Sequence, residues 1–206
     1  MAEVSVSALE SRLRKLAEKA RAARESGDLD YALEACAEVL KVAPQCVAVR
    51  RLQRSAQLRQ FKEAGWLAAK TRKGLASALL LFARRAGTSE DGWARAEKAV
   101  SMDPTNPAAL MMLGEVALSR GWAETAVFAF EAVRELRPED DDNVVALGGA
   151  WMEAGRANEA RRCAEAVLAT SPGHAAAQEL MRRASIAQTV AEGKWEAPTT
   201  FREKLR

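Results

Sequence analysis

PAALMMLGEVALSRGWAETAVFAFEAVRELRPED (residues 107–140) and DDNVVALGGAWMEAGRANEARRCAEAVLATSPGH (residues 141–174) are one pattern written twice. A shift of 34 residues lays Leu113 and Gly114 on Leu147 and Gly148, Gly121 on Gly155, Ala126 on Ala160, Val133 on Val167 and Pro138 on Pro172. Each position has a physical reason. The leucines sit mid-helix on an apolar face, and the glycine after each lets a second helix come close. Gly121 and Gly155 fall where the first helix must stop, because glycine takes the left-handed conformation without a Cβ clash. The alanines let the two helices of a hairpin pack at short range, and the prolines end the second helix for want of an amide proton. No such hairpin buries its apolar stripe alone, so the stack is the folding unit.

The same ruler runs backwards. Pro104 and Gly87 stand one period before Pro138 and Gly121, and Gly27, Ala32, Val39 and Pro44 keep the spacing of Gly155, Ala160, Val167 and Pro172. Four hairpins are expected, at 13–46, 73–106, 107–140 and 141–174. Pro44 and Pro104 are 60 residues apart, eight short of two periods. The irregular segment 47–72 therefore has room for a helix near 47–63, a break at Ala64-Gly65, and the start of a longer helix from Trp66. A capping helix over 174–191 closes the stack, and 1–191 reads as one solenoid. Residues 1–10 read as a lead-in that turns helical near Ser7, with Glu10 at capping-box distance. The tail 192–206 carries Trp195, Phe201 and Leu205, apolar anchors for docking on this chain or on another, and Thr200 with Glu203 would start a last helical turn.

A period of 34 with these residue types resembles the tetratricopeptide repeat family. The resemblance implies an all-α, right-handed superhelical solenoid of antiparallel hairpins, used as a non-enzymatic adaptor or scaffold for protein partners. In that family the first helices of successive hairpins line a concave groove. Carried over by position, the groove residues here are Arg14, Ala17, Arg21 and Arg24, then Ser77, Leu81 and Arg84, then Met111, Glu115 and Leu118, then Val145, Gly149 and Met152. One end is basic and the other apolar, which suits a peptide or helix with acids at one end. Some members grip a C-terminal carboxylate through lysines and asparagines; Ala17 and Arg21 fill those first-repeat sites here, so that clamp is not expected. Small bacterial secretion chaperones share the repeat and an apolar groove, and that role stays open as an analogy.

Charge supplies a competing reading. Residues 47–73 hold Arg50, Arg51, Arg54, Arg59, Lys62, Lys70, Arg72 and Lys73 against Glu63 alone, while 103–143 hold nine acids against three arginines. The net +3 thus hides a dipolar chain. The basic segment could dock an anionic membrane or an acidic protein filament, with each cation near an anionic bilayer contributing about 1 kcal/mol. Basic and acidic regions of two copies could also meet in self-association. Nucleic acid is disfavoured, since the tract has few aromatics for stacking. The alternative to both is two solvated helix faces.

No catalytic chemistry is legible. His174 is the one histidine, no CxxC, HExxH or GxxxxGK[ST] occurs, and Cys36, Cys46 and Cys163 are irregularly spaced. No cofactor, no metal site and no enzyme activity are expected, and Gly148-Gly149 is read as packing. Free thiols fit a reducing cytoplasm. Residues 1–16 mix charge and apolar side chains, so no secretory leader is expected.

Overall fold

Ten α-helices and no strand are found among the described residues, 4–193, of the computed structural model. They are α1 Ser11–Ser26, α2 Leu29–Val42, α3 Val47–Glu63, α4 Trp66–Ala86, α5 Glu90–Met102, α6 Pro107–Ser119, α7 Ala123–Leu136, α8 Asp141–Glu153, α9 Ala157–Thr170 and α10 Ala175–Gly193. The fold is a helical repeat built of antiparallel hairpins. Local signals set the helix ends. Asn106, Asp140, Ser89 and Asp28 each accept a hydrogen bond from the backbone three residues on, which satisfies one of the orphan amides at a helix start. At the other end Gly121 has φ 72° and Gly155 φ 73°. Gly121 N donates to Leu118 O and Trp122 N to Ala117 O, a paired closure repeated by Gly155 and Arg156. Gly121→Ala should cost about 1–2 kcal/mol, because alanine must hold a left-handed backbone there. A urea melt checks this, and an unchanged midpoint would remove the strain argument.

The lead-in differs from expectation. Ser7 lies in a 3-10 turn, Val6–Ala8, and α1 opens after Glu10 without a side-chain cap. Arg14 explains the delay: its Nη2 donates to Ser7 O and Leu9 O at 2.8 and 3.1 Å, holding the turn down on the helix.

The chain divides into two compact units, one up to Glu139 and one from Asp140. In the first, α1 pairs with α2, α4 with α5, and α6 with α7. Ala20, Ala32, Cys36 and Val39 fill the first hairpin, all without solvent exposure. Gly114 lets α7 approach α6 so closely that a Cβ there would lie 2.5 Å from the Phe130 ring. In the second unit α9 pairs with both α8 and α10. A Cβ on Gly148 would meet Leu180 Cδ2 at 2.3 Å and Cys163 Cβ at 3.1 Å, whereas Gly149 has open space. Of the glycine pair, only Gly148 is a packing residue.

Helix α3 decides how the first unit is arranged. It packs on α1, α2 and α7, while α4 packs on α5 and α6. The eight residues missing from two periods thus leave α4 with no hairpin in front of it. One flank of α4 stays in solvent.

Candidate functional site: the open first-helix faces and the buried arginines of α3

Helix α4 reads WLAAKTRKGLASALLLFARRA and contains no carboxylate. Ala76, Leu80 and Ala83, at helical spacing, form its buried face. Trp66, Leu67, Leu75, Leu81 and Phe82 are exposed, Leu81 by 69%. Leu75 and Phe82, seven apart, share one flank, with the Arg95 guanidinium 5.7 Å from the Phe82 ring. Lys70, Ser77, Leu81 and Arg84 follow another line along the helix, and all four are exposed. On α6 the outward line is Met111, Glu115 and Leu118, with Glu115 exposed and the other two half-buried. On α8, in the second unit, Val145, Gly149 and Met152 are half-buried.

Helix α1 faces α3. Its Arg21 and Arg24 share a cleft of about 380 Å³ with Ala48, Arg51, Leu52 and Ser55 of α3. Arg24 Nη1 lies 3.5 Å from Ser55 Oγ. Arg14 is occupied with the lead-in turn. The basic end expected beside Leu81 and Arg84 therefore stands beside α3, because α3 takes the neighbouring place in the stack.

The basic segment needs a larger correction. Arg50 and Arg54 are only 3% and 7% exposed, so neither can present charge to a surface. Arg50 Nε donates to Pro44 O at 2.5 Å, its Nη1 meets Glu97 at 2.8 Å, and its guanidinium stacks 4.8 Å from the Trp93 ring. Arg54 Nη1 donates to Pro104 O at 2.7 Å, tying α3 to the loop between α5 and α6. Burial pulls both guanidinium pKa values down from the ordinary, opposed by Glu97 for Arg50 and by Glu135 for Arg54. Arg51 pairs with Glu131 of α7 and Arg59 with Glu63, both in partly exposed ion pairs. Lys62, Lys70 and Lys73 are exposed and Arg72 is half-buried. One signal was available in the sequence: Arg50, Arg54 and Gln57 repeat at helical spacing on the stripe that α3 must bury, where apolar residues are too few. Trp195, Phe201 and Leu205 lie outside the described residues.

All three cysteines are buried and none is in a disulfide among the described residues. Burial pushes the Cys36 thiol up to about 12, and the reactive thiolate is thereby suppressed. Native Cys36 should resist iodoacetamide at about pH 8 and react once the chain is unfolded. Alkylation of Cys36 in the native protein, read by mass spectrometry, would contradict its burial. Among the described residues no helix is long and apolar enough to cross a membrane.

Residues 117–184 match the family model described as tetratricopeptide repeat. No curated protein matches the chain. Among solved structures, MamA is similar at 19% identity over 88% of this chain and 85% of its own, with a TM-score of 0.46. A thermophilic TPR protein of Thermus thermophilus follows at 18% identity, covering 86% and 81%, TM-score 0.41. The assembly chaperone of RpL4, Acl4, gives 18%, 88% and 85%, TM-score 0.48. Tetratricopeptide repeats serve in general as scaffolds for protein–protein interaction. With its helix stops at Gly121 and Gly155 and this match, the segment 117–184 is a tetratricopeptide repeat region.

Proposed function

We propose that the chain is a non-enzymatic adaptor that binds a helical segment of a partner protein, with α4 and α6 as the principal contact. The observation that carries the reading is the set of large apolar side chains left in water on α4, Leu81 among them. Burying one such side chain fully yields about 1.5–3 kcal/mol, and contiguous exposed patches mark interaction sites. Met111 and Leu118 on the adjoining α6 extend the apolar line, and methionine adapts its shape to varied ligands. Lys70, Arg72, Lys73, Arg84 and Arg85 accompany them with no acid on the helix. The fitting occupant is an amphipathic helix with acidic flanks. A second copy using the same face would set like charges against one another. Arg14, Arg21 and Arg24 on α1 are secondary contacts in this reading, and Val145 and Met152 are taken as partner-binding residues of the second unit by itself. Three buried cysteines outside any disulfide agree with work in a reducing cytoplasm.

Two designed helical peptides with the same leucine stripe test this, one flanked by glutamate and one by lysine. The glutamate peptide should bind the full chain, and the lysine peptide should not. Leu81→Glu with Met111→Glu should weaken binding at least ~10-fold, a loss of about 1.4 kcal/mol. If instead neither peptide binds while anionic vesicles do, with a steep loss on added salt, the adaptor reading fails in favour of a peripheral surface contact. Dimerisation through α4, read by sedimentation and lost in Phe82→Glu, would likewise replace it.

A further inference from the structure

A cleft of about 540 Å³ opens between α2, α3 and α5, on the other side of α3 from α1. Four cations line it, Lys41, Arg50, Arg54 and Lys98, against the single carboxylate of Glu97. That carboxylate is committed to Arg50 Nη1 at 2.8 Å. Arg50 Nη2 lies buried with no hydrogen-bond partner among the described residues. Arg54, equally buried, reaches a backbone carbonyl but has no carboxylate within 4 Å among the described residues. A guanidinium stays charged and is costly to bury without a counter-charge. An orphan donor adds the desolvation cost of an unmade hydrogen bond. Two adjacent cations on one helix, one with an orphan donor and one with no ion-pair carboxylate among the described residues, line one cleft and define the chemistry of what would complete it.

We propose that this cleft binds a phosphoryl oxyanion, free or carried on a ligand. A phosphate dianion supplies acceptor oxygens for Arg50 Nη2 and for Arg54, and guanidinium forks match phosphate geometry. Two negative charges match the two cations that have no ion-pair partner among the described residues, Arg54 and Lys98, while Lys41, paired with Glu38, stands exposed with Lys98 at the rim. The volume lies within the range of small-ligand sites. A bilayer or a duplex does not reach it, since both guanidiniums lie beneath the surface. The site shares no residue with the outward faces of α4 and α6, so each proposal stands or falls alone.

The test is a thermal melt of the full chain in inorganic phosphate and, at matched ionic strength, in chloride. A second arm uses a phosphoserine hexapeptide and its serine twin. Ligand that binds only the folded chain raises Tm progressively with concentration. Phosphate should therefore raise Tm where chloride does not. Lys41→Gln with Lys98→Gln, both outside the core, should cut that shift by more than half. Arg54→Gln should abolish it, its amide still able to donate to Pro104 O. A shift with inorganic phosphate assigns a free oxyanion, and one with the phosphopeptide alone assigns a phosphorylated side chain. An equal response to chloride overturns the site, as does no response in either arm. If Arg54→Gln does not fold, the lysine pair decides, and a full wild-type shift in that variant overturns the proposal.

Discussion

Phe130→Ala should be among the most damaging single changes in the chain, at about 3–5 kcal/mol. Among the described residues Phe130 is the largest side chain buried to below 2% exposure. Its ring is packed against the backbone of α6 at Gly114, where no Cβ intervenes. The cavity cannot collapse, because Leu110, Val116 and Val133 nearby in α6 and α7 are themselves fully buried and fixed by the same hairpin. The reciprocal change makes the argument specific. Gly114→Ala would put a methyl within 2.5 Å of the ring and should cost about 1–3 kcal/mol by overpacking. In a Phe130→Leu background the same alanine has space, so its cost should fall by more than half. Urea midpoints of the four proteins in this double-mutant cycle measure the coupling. Additive losses would mean that Gly114 and Phe130 do not share a packing constraint.

That pair also explains how much of the fold is readable in the sequence. Gly114 and Gly148 announce close helix approach, and Gly121 and Gly155 announce helix stops, through chemistry confined to a few neighbouring residues. The break at Ala64-Gly65 is equally local, and α3 and α4 begin and end around it. The course of α3 is a different kind of fact. Whether that helix continues toward α4 or turns onto α7 is settled by residues far apart in the chain: Arg54 on Pro104 and Arg51 on Glu131. A charge count over 47–73 treats every arginine as solvated, and it therefore placed Arg50 and Arg54 on a surface they do not reach. The outward positions of α6 were legible because a 3.6-residue period separates them from the buried stripe. The open flank of α4 was only half legible. The eight-residue deficit pointed to an irregular stack, but it could not say which helix would lose its cover.

Arg50→Ala should cost about 3 kcal/mol, near the lower end of what breaking a buried pair costs. The lower end applies because Glu97 keeps 35% of its side-chain surface in solvent and can rehydrate once Arg50 is gone. The loss then comes from three other sources. Pro44 O loses its donor, the cavity over Trp93 stays empty, and α3 loses a tether to α5. Arg50→Met separates shape from charge: it keeps an aliphatic stem over Trp93 and removes the buried cation at that position. Replacing a buried ion pair with apolar packing is often neutral, so Arg50→Met should lose less than half as much as Arg50→Ala. Raising salt from about 0.05 to 0.5 M should leave the gap between wild type and Arg50→Ala in place, since a buried contact is poorly screened. A gap that closes in salt would mean that Arg50 works as a surface charge, and α3 would then need another explanation for its seat on α5 and α7. If Arg50→Ala and wild type melt at the same urea concentration with equal slopes, the arginine is a passenger. The seat of α3 would then rest on Arg54 with Pro104 and Arg51 with Glu131.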